Sequence, residues 1–352
     1  MAITYHAGRR IQGTSTDATA VSGGWKEVGR TTLGSAGDTI TTSSLADKRY
    51  YMLLRNNINS GAVRTGLRLG NGSIDTGTNY AARRSGNGTA DQTNTSLNRI
   101  VGDEDGSVID FNVEYIANLS GNEKLLLRNQ VTQQTAGAGN APKRYEMVAK
   151  WANTSNPIDT IQSINTESGS FDTNSEIVVL GWDPDDTHTD NFWEELASDE
   201  NSGSTGTIDT GTFTAKKYLM IMGYCANNSS GNMGMAFNND LSTNYANRNS
   251  INGGSDTASA SVKFIRVNPI VNTTLPFWWT SFVVNNSANE KLVINNVCYQ
   301  STAGAGTATQ RVEVVGKWAN TSSQITRVAV SDDSGSIITC KDNSFIKVWG
   351  SN

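Results

Sequence analysis

Charge is scarce in this chain. Asp, Glu, Lys and Arg make up 17% of its 352 residues, and the formal net charge is −5 at pH 7. With no surplus of positive charge to neutralise phosphates, a nucleic-acid partner is not expected. Long apolar runs are missing too, and none approaches the roughly 18 residues of a membrane-spanning helix. The N-terminus, Met1-Ala-Ile-Thr-Tyr-His-Ala-Gly-Arg-Arg10, lacks the apolar core of a signal peptide, so export by that route is not expected. Histidine, the usual general base, occurs only as His6 and His188. No Ser or Cys nucleophile can be matched to either, and the chain is not expected to be an enzyme. Cysteine occurs three times, at Cys225, Cys298 and Cys340, all in the second half. An odd number without counterparts in the first half does not make a disulfide framework. The expectation is buried free thiols and synthesis in a reducing cytoplasm.

What is present is a repeat. Arg144-Tyr-Glu-Met-Val-Ala-Lys-Trp-Ala-Asn-Thr-Ser155 returns 167 residues later as Arg311-Val-Glu-Val-Val-Gly-Lys-Trp-Ala-Asn-Thr-Ser322. Glu123-Lys-Leu answers Glu290-Lys-Leu, and Thr135-Ala-Gly-Ala-Gly answers Thr302-Ala-Gly-Ala-Gly, at the same spacing. Trp25 answers Trp193, and Thr78-Asn-Tyr-Ala answers Thr243-Asn-Tyr-Ala, at spacings a little different. A period this long exceeds the roughly 20 to 50 residues of solenoids and propeller blades, so whole domains are duplicated. The expected division is an N-terminal arm at 1–22, a first domain at 23–184 and a second at 185–352. Asp183-Pro-Asp-Asp186 falls in a short, stiff linker. The arm reads either as a disordered terminus or as a segment that orders against a neighbouring subunit.

Ser, Thr, Asn and Gly dominate the remainder, which suits short strands and polar turns. Alternation with period two recurs. Tyr145, Met147, Ala149 and Trp151 should face inward, with Arg144, Glu146, Val148 and Lys150 outward. By the same rule Ile109, Phe111, Val113 and Tyr115 point in, and Asp110, Asn112 and Glu114 point out. In the second copy Trp278 would be inward and Trp279 outward. Roughly eight such strands per copy, bounded by turns, predict an all-β chain of two tandem duplicated β-sandwich domains, jelly-roll-like, behind an N-terminal arm.

Candidate sites are few. Asp103-Glu-Asp-Gly106 and Asp183, Asp185 and Asp186 could offer oxygens to Ca²⁺, but neither has EF-hand spacing, and solvated turns are the plainer reading. The Thr-Ala-Gly-Ala-Gly loops lie between strands, not before a helix, so no phosphate cradle is expected. No catalytic, cofactor or metal site is assigned. Trp279 and Tyr51 could stack on a carbohydrate or fill a subunit interface, against the simpler alternative of burial.

Thr4-Tyr-His-Ala-Gly-Arg-Arg-Ile-Gln-Gly-Thr-Ser-Thr-Asp17 resembles the start of a group of tailed-phage and environmental-virus structural proteins. The strand Ile158 to Ile164, then Gly169-Ser-Phe171 and Asn174-Ser-Glu-Ile-Val-Val-Leu-Gly181, resembles the strand that completes a jelly roll in such proteins. The second copy departs from it, since Ile337-Ile-Thr-Cys-Lys-Asp342 lengthens the turn. The resemblance implies a virion surface role, capsid decoration before tail or spike, and carries over no catalytic residue. Partners would be further copies of the chain and another virion protein such as the major capsid protein, with Arg9, Arg10 and Ile11 of the arm at the contact. The chain would be made in the host cytoplasm. The alternative is a carbohydrate-binding, host-adhesion module that uses exposed loops and aromatics.

Overall fold

The computed structural model describes residues 24–352 apart from 105–107, 204, 227–231, 269–275, 301 and 333. The chain folds into two tandem β-sandwiches, and among the described residues no helix occurs. In the first half the larger sheet runs in the order Lys26–Thr32, Glu176–Trp182, Tyr50–Ser60, Ile109–Ala117, Lys124–Thr132, Lys143–Trp151, Tyr80–Gly86 and Gln92–Leu97. The second half repeats that order with Glu194–Glu200, Phe345–Ser351, Tyr218–Cys225, Phe277–Val284, Lys291–Tyr299, Gln310–Trp318, Tyr245–Ile251 and Thr257–Val262. Register repeats as well. Lys124 opposes Trp151 as Lys291 opposes Trp318, and Tyr50 opposes Ala117 as Tyr218 opposes Val284. No strand of one half pairs with a strand of the other among the described residues.

A smaller sheet covers one face of each large one. In the first half it holds Thr39–Thr42, Thr160–Asn165 and Arg64–Asn71; in the second, Met233–Phe237 sits between Ile265–Asn268 and Val328–Asp332. Between the sheets lie Tyr51, Leu53, Ile116 and Trp151 against Ile40, Leu67 and Ile161, or Leu219, Trp279, Val293 and Trp318 against Met235, Phe237 and Val330. The repeated Trp has the same task in both. Trp151 stacks on Tyr80 and donates to Asp75 Oδ2 at 2.7 Å, while Trp318 stacks on Tyr245 and donates to Asp240 Oδ2 at 2.8 Å.

Part of the other face of each large sheet is also covered, by the opposite half. Leu54, Phe111, Val113, Val131 and Val178 pack with Tyr218, Val284, Leu292, Ile294 and Val315 in one cluster. The layers therefore stack as small sheet, large sheet, large sheet, small sheet. This corrects the expected faces. Ile109, Phe111 and Val113 belong to the contact between halves, while Asp110, Asn112 and Glu114, expected outside, are fully buried inside the first sandwich. Arg144, expected on an exposed face, and Lys317, which repeats the position of Lys150, are buried where the halves meet. Alternation marks two environments, and it marks the wet one only if water reaches one of them.

Candidate functional site

Nine polar side chains line the inner face of the first sandwich: Arg55, Asn57 and Asn59; Asp110, Asn112 and Glu114; Arg128, Gln130 and Thr132. They lie on three neighbouring strands at facing register positions. Glu114 Oε1 accepts from Arg55 Nε at 3.1 Å, Arg55 Nη2 at 2.6 Å and Arg128 Nε at 2.5 Å. Arg55 Nη1 reaches across the sandwich to Ser163 Oγ at 2.8 Å. Asp110 accepts from the amides of Asn57, Asn59 and Asn112. Burial pushes the Glu114 carboxyl up, but the Arg128 and Arg55 guanidiniums outweigh it and hold it below the ordinary range. For Asp110 burial wins over Arg55 and the amides, so that carboxyl is raised. Burial draws the Arg128 guanidinium down to about 10, with Glu114 working against it. Arg128 Nη1 and Nη2 find no partner among the described residues.

The second sandwich does not share this interior. The same register positions there hold Gly223 and Cys225, then Phe277, Trp279 and Ser281, then Asn295, Val297 and Tyr299. Trp279 fills the space, and a Cβ on Gly223 would lie 2.2 Å from its ring. A duplicated fold thus stands on either an ionic or an apolar interior. The ionic set is not needed to hold the architecture, since a buried ion cluster gains little over good packing.

Beside the ionic interior, Arg84, Gly86, Asn87, Thr89, Gln92 and Tyr145 line a polar recess of about 190 Å³. Arg84 donates to Gly102 O at 2.8 Å, and a Cβ on Gly86 would sit 2.4 Å from the Tyr145 ring. In the second half Ile251 and Val312 stand where Gly86 and Tyr145 do. The recess has hydroxyl, amide and guanidinium groups suited to hydrogen-bonding a polyol, with no His, Cys or carboxylate among its lining residues.

The halves are clasped by polar contacts around their apolar patch. The loop after Thr132 carries Gly137 N to Glu290 Oε1 at 2.5 Å, and Lys317 Nζ donates to the carbonyls of Gln133 and Thr135. Arg248 Nε donates to Pro142 O at 2.8 Å, and Ser261 N to Ala138 O at 2.7 Å. Arg144 pairs with Asp256 at 2.7 Å. Glu176 is buried and takes Thr32, Lys217, Arg30 and the Tyr218 hydroxyl; burial pushes its carboxyl up, but the Thr32 hydroxyl, Lys217 and Arg30 outweigh it and hold it below the ordinary range.

The residues singled out from the sequence fare differently. Tyr51 is buried, its hydroxyl donating to the carbonyls of Ala46 and Ile158, so it is closed to a sugar or a neighbour. Trp279 is buried in the second core with Nε1 on Met235 Sδ at 3.2 Å, and the exposed tryptophan is Trp278. The two exchange places because the polar positions on the Trp279 face, such as Ser281, point into a buried interior and not to solvent. Arg9, Arg10, Ile11 and His6 lie outside the described residues. His188 Nε2 sits 3.0 Å from Gly24 O, which ties the linker down. Asp183 and Asp186 pair with Lys48. The free-thiol expectation is corrected: Cys225 and Cys340 form a disulfide across the second sandwich, and Cys298 is exposed. Cys225 and Cys340 are 115 residues apart, and only the fold brings them together.

No protein-family model matches this chain, and no curated protein matches it. Among solved structures, domains LG4-5 of the mouse laminin alpha1 chain align over 94% of this chain and 85% of theirs, at 9% identity and a TM-score of 0.15. The outer membrane protease OmpT of Escherichia coli aligns over 87% and 98%, at 9% identity and a TM-score of 0.12. A Pseudomonas aeruginosa FadL homologue aligns over 88% and 91%, at 7% identity and a TM-score of 0.08. Likenesses this faint carry no argument.

Proposed function

We propose that this chain is a non-enzymatic structural protein of a virus particle, a capsid decoration before a tail or spike component. It is made in the host cytoplasm and assembles on the virion surface through its N-terminal arm and sandwich faces. The observation that carries this reading is the packing of sandwich on sandwich. Large-sheet faces that would otherwise be wet are buried against a copy of the same fold, the kind of contact from which repetitive assemblies grow. The resemblance of residues 4–17 and 158–181 to virion proteins supports it, and so does a disulfide, a bond that persists at virion surfaces. Its partners would be further copies and a virion protein such as the major capsid protein. Mass spectrometry of purified particles tests it, with the chain present at a fixed ratio to the capsid protein as the expected result. Absence from the particles defeats it.

Glycan binding is the second reading, and the recess at Arg84 favours it. It no longer involves Tyr51 or Trp279. A glycan array probed with the chain and with Gln92→Ala tests it, and signal unchanged by that substitution would count against the recess.

A further inference from the structure

Most of the clasp between the halves is built from residues that occur twice. Its receiving side is Glu290, Lys317, Arg248 and Ser261. Strand register maps these onto Glu123, Lys150, Arg83 and Ser96 of the first half, identical residue for residue. Ser261 and Ser96 even share a left-handed backbone, with φ of 49° and 52°. The inserting side is doubled as well. Thr135-Ala-Gly-Ala-Gly139 has its twin in Thr302-Ala-Gly-Ala-Gly306, with φ of 86° at Gly137 and 90° at Gly304. Much else diverged between the halves, the ionic interior above all, while the Thr-Ala-Gly-Ala-Gly tip of the loop and the four receiver residues stayed the same in both.

The chain closes this clasp once. Thr302 to Gly306 is exposed to solvent. Glu123 pairs instead with Lys150 at 2.8 Å, each about 40% exposed, and Arg83 stands 3.6 Å from Asp91. The apolar floor shows the same imbalance. Leu292, Ile294 and Val315 are buried between the halves, whereas their twins Leu125, Leu127 and Val148 are 57%, 56% and 48% exposed. An apolar cluster at the middle of a sheet, rimmed by charged residues, marks an interaction surface.

We infer that the unused receiver of the first half takes the 302–306 loop of a second copy of this chain, repeating between chains the contact made within each. The inference deepens the assembly reading and rests on it only in making self-packing the work of the chain. Its own 302–306 loop stays in solvent while the first clasp is closed, so the occupant comes from another molecule. Lys150 would donate to the backbone carbonyls at 300 and 302, and Glu123 would accept from Gly304 N. Little is lost by opening the exposed Glu123–Lys150 pair. Loop and receiver are different surfaces, so every added copy presents one of each, and the contact grows into a ring or a filament.

Sedimentation velocity of the full chain over a range of concentrations tests this. The mass should rise with concentration. Leu127→Asp, and separately replacement of Ala303 and Ala305 by Asp, should each weaken association by about tenfold or more. At concentrations too low for association, thermal unfolding should not move, because these side chains are exposed in the single chain. With Cys298→Ser as background, a Glu123→Cys chain mixed with an Ala303→Cys chain should give a disulfide-linked dimer. A monomer at every concentration, association indifferent to both surface variants, or a link formed only within a chain carrying both cysteines would overturn it. Clasp-dependent association by a chain absent from particles would sink the virion reading and leave the clasp; a particle-bound chain indifferent to Leu127→Asp would do the reverse.

Discussion

Glu114 is the one carboxylate that Arg55 and Arg128 share, and all three side chains are buried. Glu114→Gln should destabilise the first half by about 3 to 5 kcal/mol, because both guanidiniums lose their countercharge where water cannot replace it. Equilibrium unfolding in urea measures this. Replacing the set with what the second half carries (Arg55→Gly, Asn112→Trp, Glu114→Ser, Arg128→Asn) should cost less than the single change. A charged cluster exchanged for packed apolar volume is often neutral or better. The carboxyl of Glu114 is held low in the fold, so its contribution is whole above the ordinary unfolded Glu range. It is lost as pH falls through the lower folded value. Gly223→Ala probes the second interior. Its Cβ would lie 2.2 Å from the Trp279 ring, and the overpacking should cost about 1 to 3 kcal/mol in the same experiment.

Individual strands were legible; the faces of Lys143–Trp151 were too, apart from buried Arg144, but those of Ile109–Ala117 were not. The periodicity of Ile109 to Tyr115 located a strand, and Ile109–Ala117 is one. Which side met the sandwich core depended on whether water or a second sheet covered the other, and nothing in nine residues carries that. Asp110, Asn112 and Glu114 looked solvated because a buried polar row needs partners, and those partners sit on strands distant in sequence. The ionic interior was hidden for that reason, whereas the clasp lay in plain view as exact repeats whose use only the fold reveals. One pair of these repeats makes a prediction. Glu313 is raised by burial first and by its twin Glu146 second, with Arg311 and Arg144 opposing. A carboxyl raised in the fold binds protons more readily there than when unfolded. Stability therefore falls as pH climbs from the ordinary Glu range through the raised value, and returns on acidification. Glu313→Gln should flatten that slope in thermal unfolding recorded across mildly acidic pH.

At the scale of the whole molecule, the halves differ in what braces them. The second carries the Cys225–Cys340 bridge, spanning 115 residues, and the first has only non-covalent contacts. A cross-link over so long a loop contributes about 2 to 5 kcal/mol, so reductant should lower the unfolding temperature of the second half and leave Asp75, Trp151 and the first core undisturbed. Independence has a limit, however. Leu54, Phe111, Val113 and Val131 would all be exposed if residues 24–184 were produced alone, as would Leu292, Ile294 and Val315 in 185–352. Patches of that kind drive association, and the neighbouring Glu176 and Lys317 would lose the partners that make their burial tolerable. Each fragment should aggregate or form oligomers when expressed by itself, while co-expression should restore a soluble one-to-one complex. Gel filtration with light scattering reads both outcomes. Two fragments that stay monomeric and ignore one another would mean that the packing of sandwich on sandwich is incidental, and with it the reason for assigning this chain to assembly.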